Sequence, residues 1–566
     1  MRLFTVSALF PILSLLANAA PTDDFDKRQA FNVGQAVGTT SGTVVGHAAT
    51  NRNQVSEYLG IPFARPPVGE LRFAEPEPFL GSGTINAERY SPDCPANLLP
   101  VTDDSVLPLA GPNSFKLLED LAQVGNAQSE DCLTLNIWTK PQTGERAKAV
   151  LFWIYGGGFS IGATNNPTYD GEFLADDEDV IVVSANYRLN VFGFPGLPGL
   201  GLPQNPGLLD QRLAIEWVRD NIAAFGGDPN RITIFGQSAG GLSVDIYSYA
   251  WVSDPIVAGF IPHSGAASNP SAAALLPANN SAAFLTVSEA VGCSATSLAA
   301  AIPCVRTKPF QALLDASRSD NPLAAVTGSF SPTVDGRVVF ADIAERIASG
   351  NFIRRPMLVG NTNYETGLFK VVAAAGNQTF PDIIWEFINL IAFTCGAKGA
   401  ADARAAQGVP VWRYRYFGEF PNTRLTLNPS SGAWHGGELP LVFGSTEFAT
   451  GVANTPAEAS LQTYLKGAWA AFAKDPAGAL GRAPYRWPRY NRLTRTLVQF
   501  GCNNATQPRY GLPISFDLSC SLIDGLVGSL PPVTGGGIPD LGGIDIGELA
   551  GALEGISIRG PLSGCS

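Results

Sequence analysis

An α/β fold is expected for this chain, built on one large, mostly parallel sheet covered by helices and carrying long loop insertions. Three features of the sequence support this. Ala149-Val150-Leu151-Phe152-Trp153-Ile154-Tyr155 and Val180-Ile181-Val182-Val183-Ser184-Ala185 are continuous apolar runs of strand length without helical periodicity, as strands buried on both faces require. From Leu209 to Phe225 the apolar residues Leu213, Ala214, Trp217, Val218 and Ile222 recur at three- and four-residue steps, which gives one buried helical face. Arg231-Ile232-Thr233-Ile234-Phe235 is a further strand, and it passes through Gly236-Gln237-Ser238-Ala239-Gly240 into helix-compatible residues, so strands and helices alternate.

Taken in order, the chain opens with Met1-Arg2-Leu3-Phe4 and a mostly apolar run to Leu16. Ala17-Asn18-Ala19 then offers the small-x-small pattern of signal-peptidase cleavage, so residues 1–19 are expected to be a secretory signal peptide. Asp23, Asp24 and Asp26 precede Lys27-Arg28. Residues 20–28 are read as a pro-segment ended by dibasic processing, with Gln29 as the mature N-terminus, the alternative being a chance pair of basic residues.

Residues 29–525 are expected to form a single catalytic domain. Within it Gly226-Gly227-Asp228-Pro229 stops the helix before the strand at 231–235. Beyond about residue 526 the sequence is rich in Gly, Pro and Leu with almost no positive charge, and 526–566 reads as a C-terminal extension outside the core.

The 566 residues are 45% hydrophobic and 15% charged, which excludes a disordered or fibrous chain. Removing residues 1–28 takes away three basic residues (Arg2, Lys27, Arg28) and three acidic ones (Asp23, Asp24, Asp26), so the formal net charge stays at -12. Such a surface repels nucleic acid, and no nucleic-acid partner is expected. No stretch after the signal has the run of about 20 apolar residues that a spanning helix needs, so no transmembrane segment is expected and the mature protein should be soluble and extracellular. Eight cysteines in an oxidising compartment point to disulfides. Sequons at Asn279, Asn377 and Asn504 fit the same route.

Gly236-Gln237-Ser238-Ala239-Gly240 carries the chemistry. A serine hydroxyl is a weak nucleophile unless a base sits at hydrogen-bond distance and N–H groups face the developing oxyanion. The flanking glycines allow a sharp strand-to-helix turn that thrusts Ser238 outward, and the helix that follows puts its positive end beside it. A second G-x-S-x-G, Gly158-Phe159-Ser160-Ile161-Gly162, shows how readily the pattern arises among 61 glycines, but Thr164, Asn165, Asn166 and Pro167 after it read as a loop. Gly156-Gly157-Gly158, directly after a strand, can turn N–H groups into a cavity, so Gly157, Gly158 and Ala239 are oxyanion-hole candidates, unless the glycines serve packing alone.

Only His47, His263 and His435 can supply the base. His47 lies in a Gly/Val/Thr-rich stretch expected at the surface. His263 precedes Ser264 at a strand end, but where the nucleophile sits on such a turn the histidine comes after the acid, which favours His435. The acid should lie between nucleophile and base. Glu365 follows the strand candidate Met357-Leu358-Val359, and Asp335 is its rival.

These pieces resemble the type-B carboxylesterase/lipase family of α/β-hydrolases, which includes cholinesterases, animal carboxylesterases and fungal lipases. The resemblance runs from about residue 35 to 525, through Gly60-Ile61-Pro62-Phe63-Ala64-Arg65-Pro66-Pro67, Glu130-Asp131-Cys132-Leu133, Trp153-Ile154-Tyr155-Gly156-Gly157-Gly158-Phe159, Asn186-Tyr187-Arg188-Leu189, the serine turn and Trp434-His435-Gly436. It implies an α/β-hydrolase fold, a Ser238/Glu365/His435 triad acting through an acyl-enzyme, an oxyanion hole from Gly157, Gly158 and Ala239, Ser264 as support for the acid, and disulfides Cys94–Cys132 and Cys293–Cys304. The pairing of Cys395, Cys502, Cys520 and Cys565 stays open among three connectivities. No metal and no cofactor is implied.

Two departures from the family bear on substrate. Gln237 stands where many members carry glutamate, and the Cys94–Cys132 loop has no tryptophan to hold choline by cation–π attraction, which argues against choline esters. That loop instead carries Leu98, Leu99, Val101, Val106, Leu107, Leu109, Phe115, Leu117, Leu118 and Leu121. It is either a lid that moves at a lipid–water interface, as in fungal lipases of the family, or a static cover on the core. The expected function is hydrolysis of small-molecule carboxylic esters, with a lipase or sterol esterase as the alternative and a non-catalytic cholinesterase-like binding protein as the third reading.

Overall fold

The structure is a computed structural model and describes residues 32–97, 109–141, 147–268, 278–294, 297–318, 330–521 and Cys565. The expected signal peptide, the pro-segment with its dibasic site, and Leu98, Leu99, Val101, Val106 and Leu107 lie outside the described residues, as does the C-terminal extension apart from Cys565.

The strands are, in chain order, β1 (Val37–Thr39), β2 (Gly42–Val45), β3 (His47–Ala48), β4 (Ser56–Pro62), β5 (Thr84–Asn86), β6 (Thr134–Thr139) and β7 (Lys148–Ile154). They continue with β8 (Ile181–Ala185), β9 (Gly227–Gln237), β10 (Gly259–His263), β11 (Met357–Thr362), β12 (Val411–Tyr416), β13 (Leu497–Phe500) and β14 (Arg509–Gly511). Among the described residues β1, β2 and β5 make a small sheet, and the other eleven form one sheet ordered β14-β13-β12-β11-β10-β9-β7-β8-β6-β4-β3. Every neighbouring pair from β13 to β8 is parallel. The strands β14, β6, β4 and β3 join antiparallel at the two sides. Helices cover the sheet, and the architecture is that of an α/β-hydrolase.

The apolar runs read from the sequence sit in the middle of this sheet. Every residue of β7 and of β8 is buried, as parallel strands covered on both faces must be. The helix between β8 and β9 spans Pro206–Asn221, starting three residues before Leu209 because Pro206 presets the first turn. Ala214, Trp217, Val218 and Ile222 are buried as the stripe predicts, while Leu213 is only half-buried. The chain tightens to a 3-10 turn at Ile222–Phe225, and Gly226 takes a left-handed φ of 88°. β9 begins at once, four residues before the expected Arg231, because Gly227 already pairs with Lys148.

β7 lies between β8 and β9, so the chain winds outward on one side and returns on the other. The carboxyl ends of strands at such a reversal flank a crevice where ligands bind. The Gly156-Gly157-Gly158 loop follows β7 and Ser238 follows β9, which places both at the carboxyl ends of the strands beside that reversal.

One expectation needs correction. The helical stretch Asp382–Ala406 is long and apolar enough to cross a membrane by length and composition, but 72% of its apolar window is buried inside the protein. It is apolar because it packs as a core helix, and burial within a large α/β core and residence in lipid leave the same compositional mark.

Cys94–Cys132 and Cys293–Cys304 are bonded as the resemblance implies, and the open pairing resolves to Cys395–Cys520 and Cys502–Cys565. Asn279 and Asn377 are exposed, whereas Asn504 is half-buried with its side chain hydrogen-bonded to both the N–H and the C=O of Glu419. The Cys395–Cys520 bond spans 125 residues and anchors the segment behind β12. Replacing both cysteines by serine is expected to lower unfolding free energy by about 2–4 kcal/mol. Thermal or denaturant unfolding measures this, and an unchanged midpoint would contradict it.

Candidate active site

Three neighbouring strands deliver the site. β9, β10 and β11 lie side by side in register, with Gln237 opposite His263 and His263 opposite Gly360. Ser238, Ser264 and Glu365 follow the carboxyl ends of these three strands, so residues far apart in the chain converge.

Ser238 has φ 59° and ψ -123°, a conformation that a residue with a Cβ rarely adopts. It is held there from both sides: its N–H donates to the His263 carbonyl at 2.9 Å, and its own carbonyl accepts the Leu242 N–H at 2.8 Å. Glycine is required at Gly240, where a Cβ would collide with the Ile154 carbonyl on β7. The helix Ala239–Ala250 begins immediately, and the N–H groups of its first turn have no acceptor within the helix. The turn is the sharp strand-to-helix elbow read from the sequence.

The glycine loop after β7 runs against this serine. A Cβ on Gly156 would stand 2.7 Å from the Ser238 Cβ. Gly157 and Gly158 follow with φ 110° and 59° and are half-buried. The Gly157 carbonyl accepts the N–H groups of Ser160 and Ile161, both at 3.0 Å, which closes the loop as a turn. Ser160 therefore sits inside a loop with no helix behind it, unlike Ser238.

Glu365 is fully buried. A carboxylate removed from water needs donors, and it has three: the Ser264 hydroxyl at 2.7 Å and the Thr362 N–H at 2.6 Å on Oε1, and His435 Nδ1 at 2.5 Å on Oε2. The N–H of Glu365 donates to Asn389 Oδ1 at 2.9 Å. The His435 ring packs beside Phe369 and Phe393, with centroids 5.3 and 4.8 Å away. His435 Nε2 is buried and makes no hydrogen bond, so its contact with the Ser238 hydroxyl is not closed in this structure. The two loops nonetheless approach each other, since a Cβ on Gly436 would lie 3.5 Å from Gln237 Nε2. Hydrogen bonds between a nucleophile and its base commonly tighten only in a complex with substrate.

The other candidates are placed elsewhere. Asp335 is spent in its own turn, accepting the N–H groups of Arg337, Val338 and Val339 and the Asn205 side chain. His47 is half-buried, not fully at the surface, because β3 lies against β4 and brings it within 3.3 Å of Glu57. His263 is buried beneath the elbow, where Nε2 accepts the Trp469 indole N–H at 3.0 Å and Nδ1 lies 2.8 Å from the Tyr414 hydroxyl. An indole can only donate, so His263 Nε2 is unprotonated and Nδ1 carries the proton. Burial, with the Glu438 and Glu365 carboxylates, pushes the Tyr414 hydroxyl well above its usual range. Thr362, Asn389, Phe369, Phe393, Tyr414 and Trp469 belong to no motif, so the sequence carries no signal for them. Among the described residues no group of three or more His, Cys, Asp or Glu side chains is placed to hold a metal ion.

The described part of the Cys94–Cys132 loop is docked. Its helix, Pro112–Leu121, buries Leu117 against Val371, Leu425, Ala449 and Trp434, the neighbour of His435. Asn113 Nδ2 donates to the Asn422 carbonyl, and the Ser114 hydroxyl to that of Arg424 at 2.8 Å.

A mostly parallel sheet with a strained serine at the end of β9 and a buried Glu–His pair beyond β11 and β12 is an arrangement of the esterase–lipase class of hydrolases. The carboxylesterase family model matches residues 33–382 and 373–511. A chlorogenic acid esterase of Aspergillus niger is 32% identical over 495 residues, covering 84% of this chain and 91% of that protein. Secreted lipase 5 of Gibberella zeae is 33% identical over 522 residues, covering 85% and 92%, and an acetylcholinesterase of Bungarus fasciatus is 31% identical over 513 residues, covering 80% of each chain. The chain belongs to the carboxylesterase family, and its activity is that of a general carboxylic ester hydrolase.

Because Gly156 is pressed against Ser238, its replacement by alanine must displace the elbow. Gly156→Ala is expected to cut kcat by about 10²-fold, the scale of a 1 Å misplacement, while far-UV circular dichroism stays native. Wild-type turnover in that variant would contradict the packing.

Proposed function

We propose that the protein is a secreted esterase in which Ser238 is the nucleophile, His435 the general base and Glu365 the acid that orients it. The observation that carries this is the single buried carboxylate of Glu365 holding His435 Nδ1 on one oxygen and Ser264 on the other. With the proton of a neutral His435 on Nδ1, Nε2 is left to take the Ser238 proton as the hydroxyl oxygen bonds to the ester carbonyl carbon. The N–H groups of Gly157, Gly158 and Ala239 receive the oxyanion. The imidazolium returns the proton to the departing alcohol, and an acyl-Ser238 remains. Water, deprotonated by the same imidazole, then attacks the acyl carbon, and the imidazolium returns that proton to the Ser238 oxygen as its bond to the acyl group breaks and the acid leaves. Glu365 stabilises the imidazolium in both halves.

The substrate proposed is a small-molecule ester without a quaternary ammonium group, since Gln237 is uncharged and the described residues of the Cys94–Cys132 loop include no tryptophan. A second reading, a lipase with that loop as a lid, is favoured by its apolar helix over Trp434 and by the likeness to a secreted lipase. Residues 1–19 as signal peptide, 20–28 as pro-segment, 29–525 as catalytic domain and carbohydrate at Asn279, Asn377 and Asn504 complete the proposal.

A fluorophosphonate is expected to label Ser238 stoichiometrically. Ser238→Ala and His435→Ala are each expected to lower kcat by about 10⁴-fold or more. Labelling at another serine, or an active His435→Ala protein, would remove the assignment. A steep rise in rate as a short-chain ester passes its solubility limit would select the lipase reading, and a smooth curve the esterase reading.

A further inference from the structure

On the face of β12 opposite Tyr414, Arg413 and Arg415 lie two residues apart, and each is only 1% exposed. Charges buried side by side are costly unless opposite charges lie close by. Arg413 is provided for, since both its terminal nitrogens bond Asp517, at 2.6 and 2.8 Å. Arg415 is not. Its Nε donates to Asn363 Oδ1 at 3.0 Å, one terminal nitrogen to the Asn363 carbonyl at 3.3 Å and the other to the Thr394 hydroxyl at 3.4 Å, with the Phe516 ring 4.6 Å away. Among the described residues no carboxylate forms an ion pair with it. Two cations and one anion leave an interior charge of +1.

The partners of Arg415 are the walls of the Glu365 site. Asn363 lies two residues before Glu365, in the turn that leaves β11, and Asn361 on β11 is opposite Arg415 in register. Thr394 ends the π-helical turn Asn389–Thr394, whose first residue takes the Glu365 N–H. We infer that Arg415 is a positioning residue: its buried guanidinium braces the 363–365 turn and supplies the counter-charge that balances an ionised Glu365. The inference rests on Glu365 being the acid of the triad.

With Glu365 ionised, the cluster of Arg413, Arg415, Asp517 and Glu365 is neutral. Burial and the neighbouring Arg413 push the Arg415 guanidinium down, to about 9, while Asp517 and Glu365 oppose them, so it remains charged at neutral pH. The other groups facing the Glu365–His435 pair are the uncharged Ser264, Thr362 and Asn389, and across the sheet Tyr414 with His263 and Glu438. Asp402 and Tyr490 face Arg413.

The test is the acid limb of the pH dependence of kcat/KM, in which protonation of His435 removes activity, with every variant normalised to sites titrated by fluorophosphonate. Arg415→Gln removes a positive charge, so protonation becomes easier and the limb should move to higher pH by about one unit, the scale on which the loss of an interacting buried charge shifts a titration. Arg415→Lys should leave the limb near its wild-type position, and Asp517→Asn, which removes a negative charge, should move it to lower pH. A merely structural role lowers the titrated fraction without moving the limb in opposite directions. Unmoved limbs, or limbs moved the same way in the Gln and Asn variants, overturn the inference; if Arg415→Gln does not fold, the direction of the Asp517→Asn shift decides alone. Wild-type protein that is not labelled at Ser238 would instead overturn the triad itself.

Discussion

Glu365 is sealed from solvent and receives hydrogen bonds from Ser264, the Thr362 N–H and His435, all at 2.5–2.7 Å. A buried carboxylate stripped of one such donor costs a large fraction of a protein's total stability, so the three groups that feed it are fixed in relation to one another. Each comes from a different part of the chain, and each lies at or beyond the end of its own strand. The parallel pairing of β9, β10 and β11 thus does more than build a core. It sets Ser238, Ser264 and Glu365 at adjacent strand ends, so that sheet register becomes site geometry.

The elbow and the glycine loop are held by backbone contacts more than by side chains. Ser238 keeps its strained dihedrals because its N–H and C=O are both engaged and because glycine at 240 lets the helix press onto β7. Strain of this kind persists only where the surroundings over-determine it. Below lies a second polar set in which His263 bonds Trp469 and Tyr414 and lies 3.3 Å from Glu438 Oε1. The docked helix of the Cys94–Cys132 loop closes the same region from outside through Leu117 and Trp434.

Much of this was legible in the sequence because it rests on local signals. The runs at 149–155 and 180–185 identify central strands by their unbroken apolarity, and the glycines around Ser238 identify the elbow, since only such residues permit the turn. Chain order and scarcity, with three histidines in the chain, single out Glu365 and His435, which the structure places in hydrogen-bond contact. What was not legible depends on pairing across hundreds of residues. Gly227 joins β9 because of Lys148 on another strand, and Asp382–Ala406, long and apolar enough to cross a membrane by length and composition, owes its apolarity to burial in the core. Asn389 and Arg415 had no pattern to announce them. The alternation of arginine with aromatic residues in Val411-Trp412-Arg413-Tyr414-Arg415-Tyr416 marks a two-faced strand, but which face lies toward the Glu365 turn is a property of the folded sheet.

The central claim is that Glu365 fixes the imidazole of His435 with its proton on Nδ1 and leaves Nε2 free for the serine. With His47, His263 and His435 the only histidines in the chain, nitrogen NMR on protein labelled in the histidine rings can read each tautomer directly. The account predicts that neutral His435 is protonated at Nδ1 and that this proton's signal changes when Glu365 is replaced by glutamine. A His435 protonated at Nε2, or one indifferent to that replacement, would contradict it.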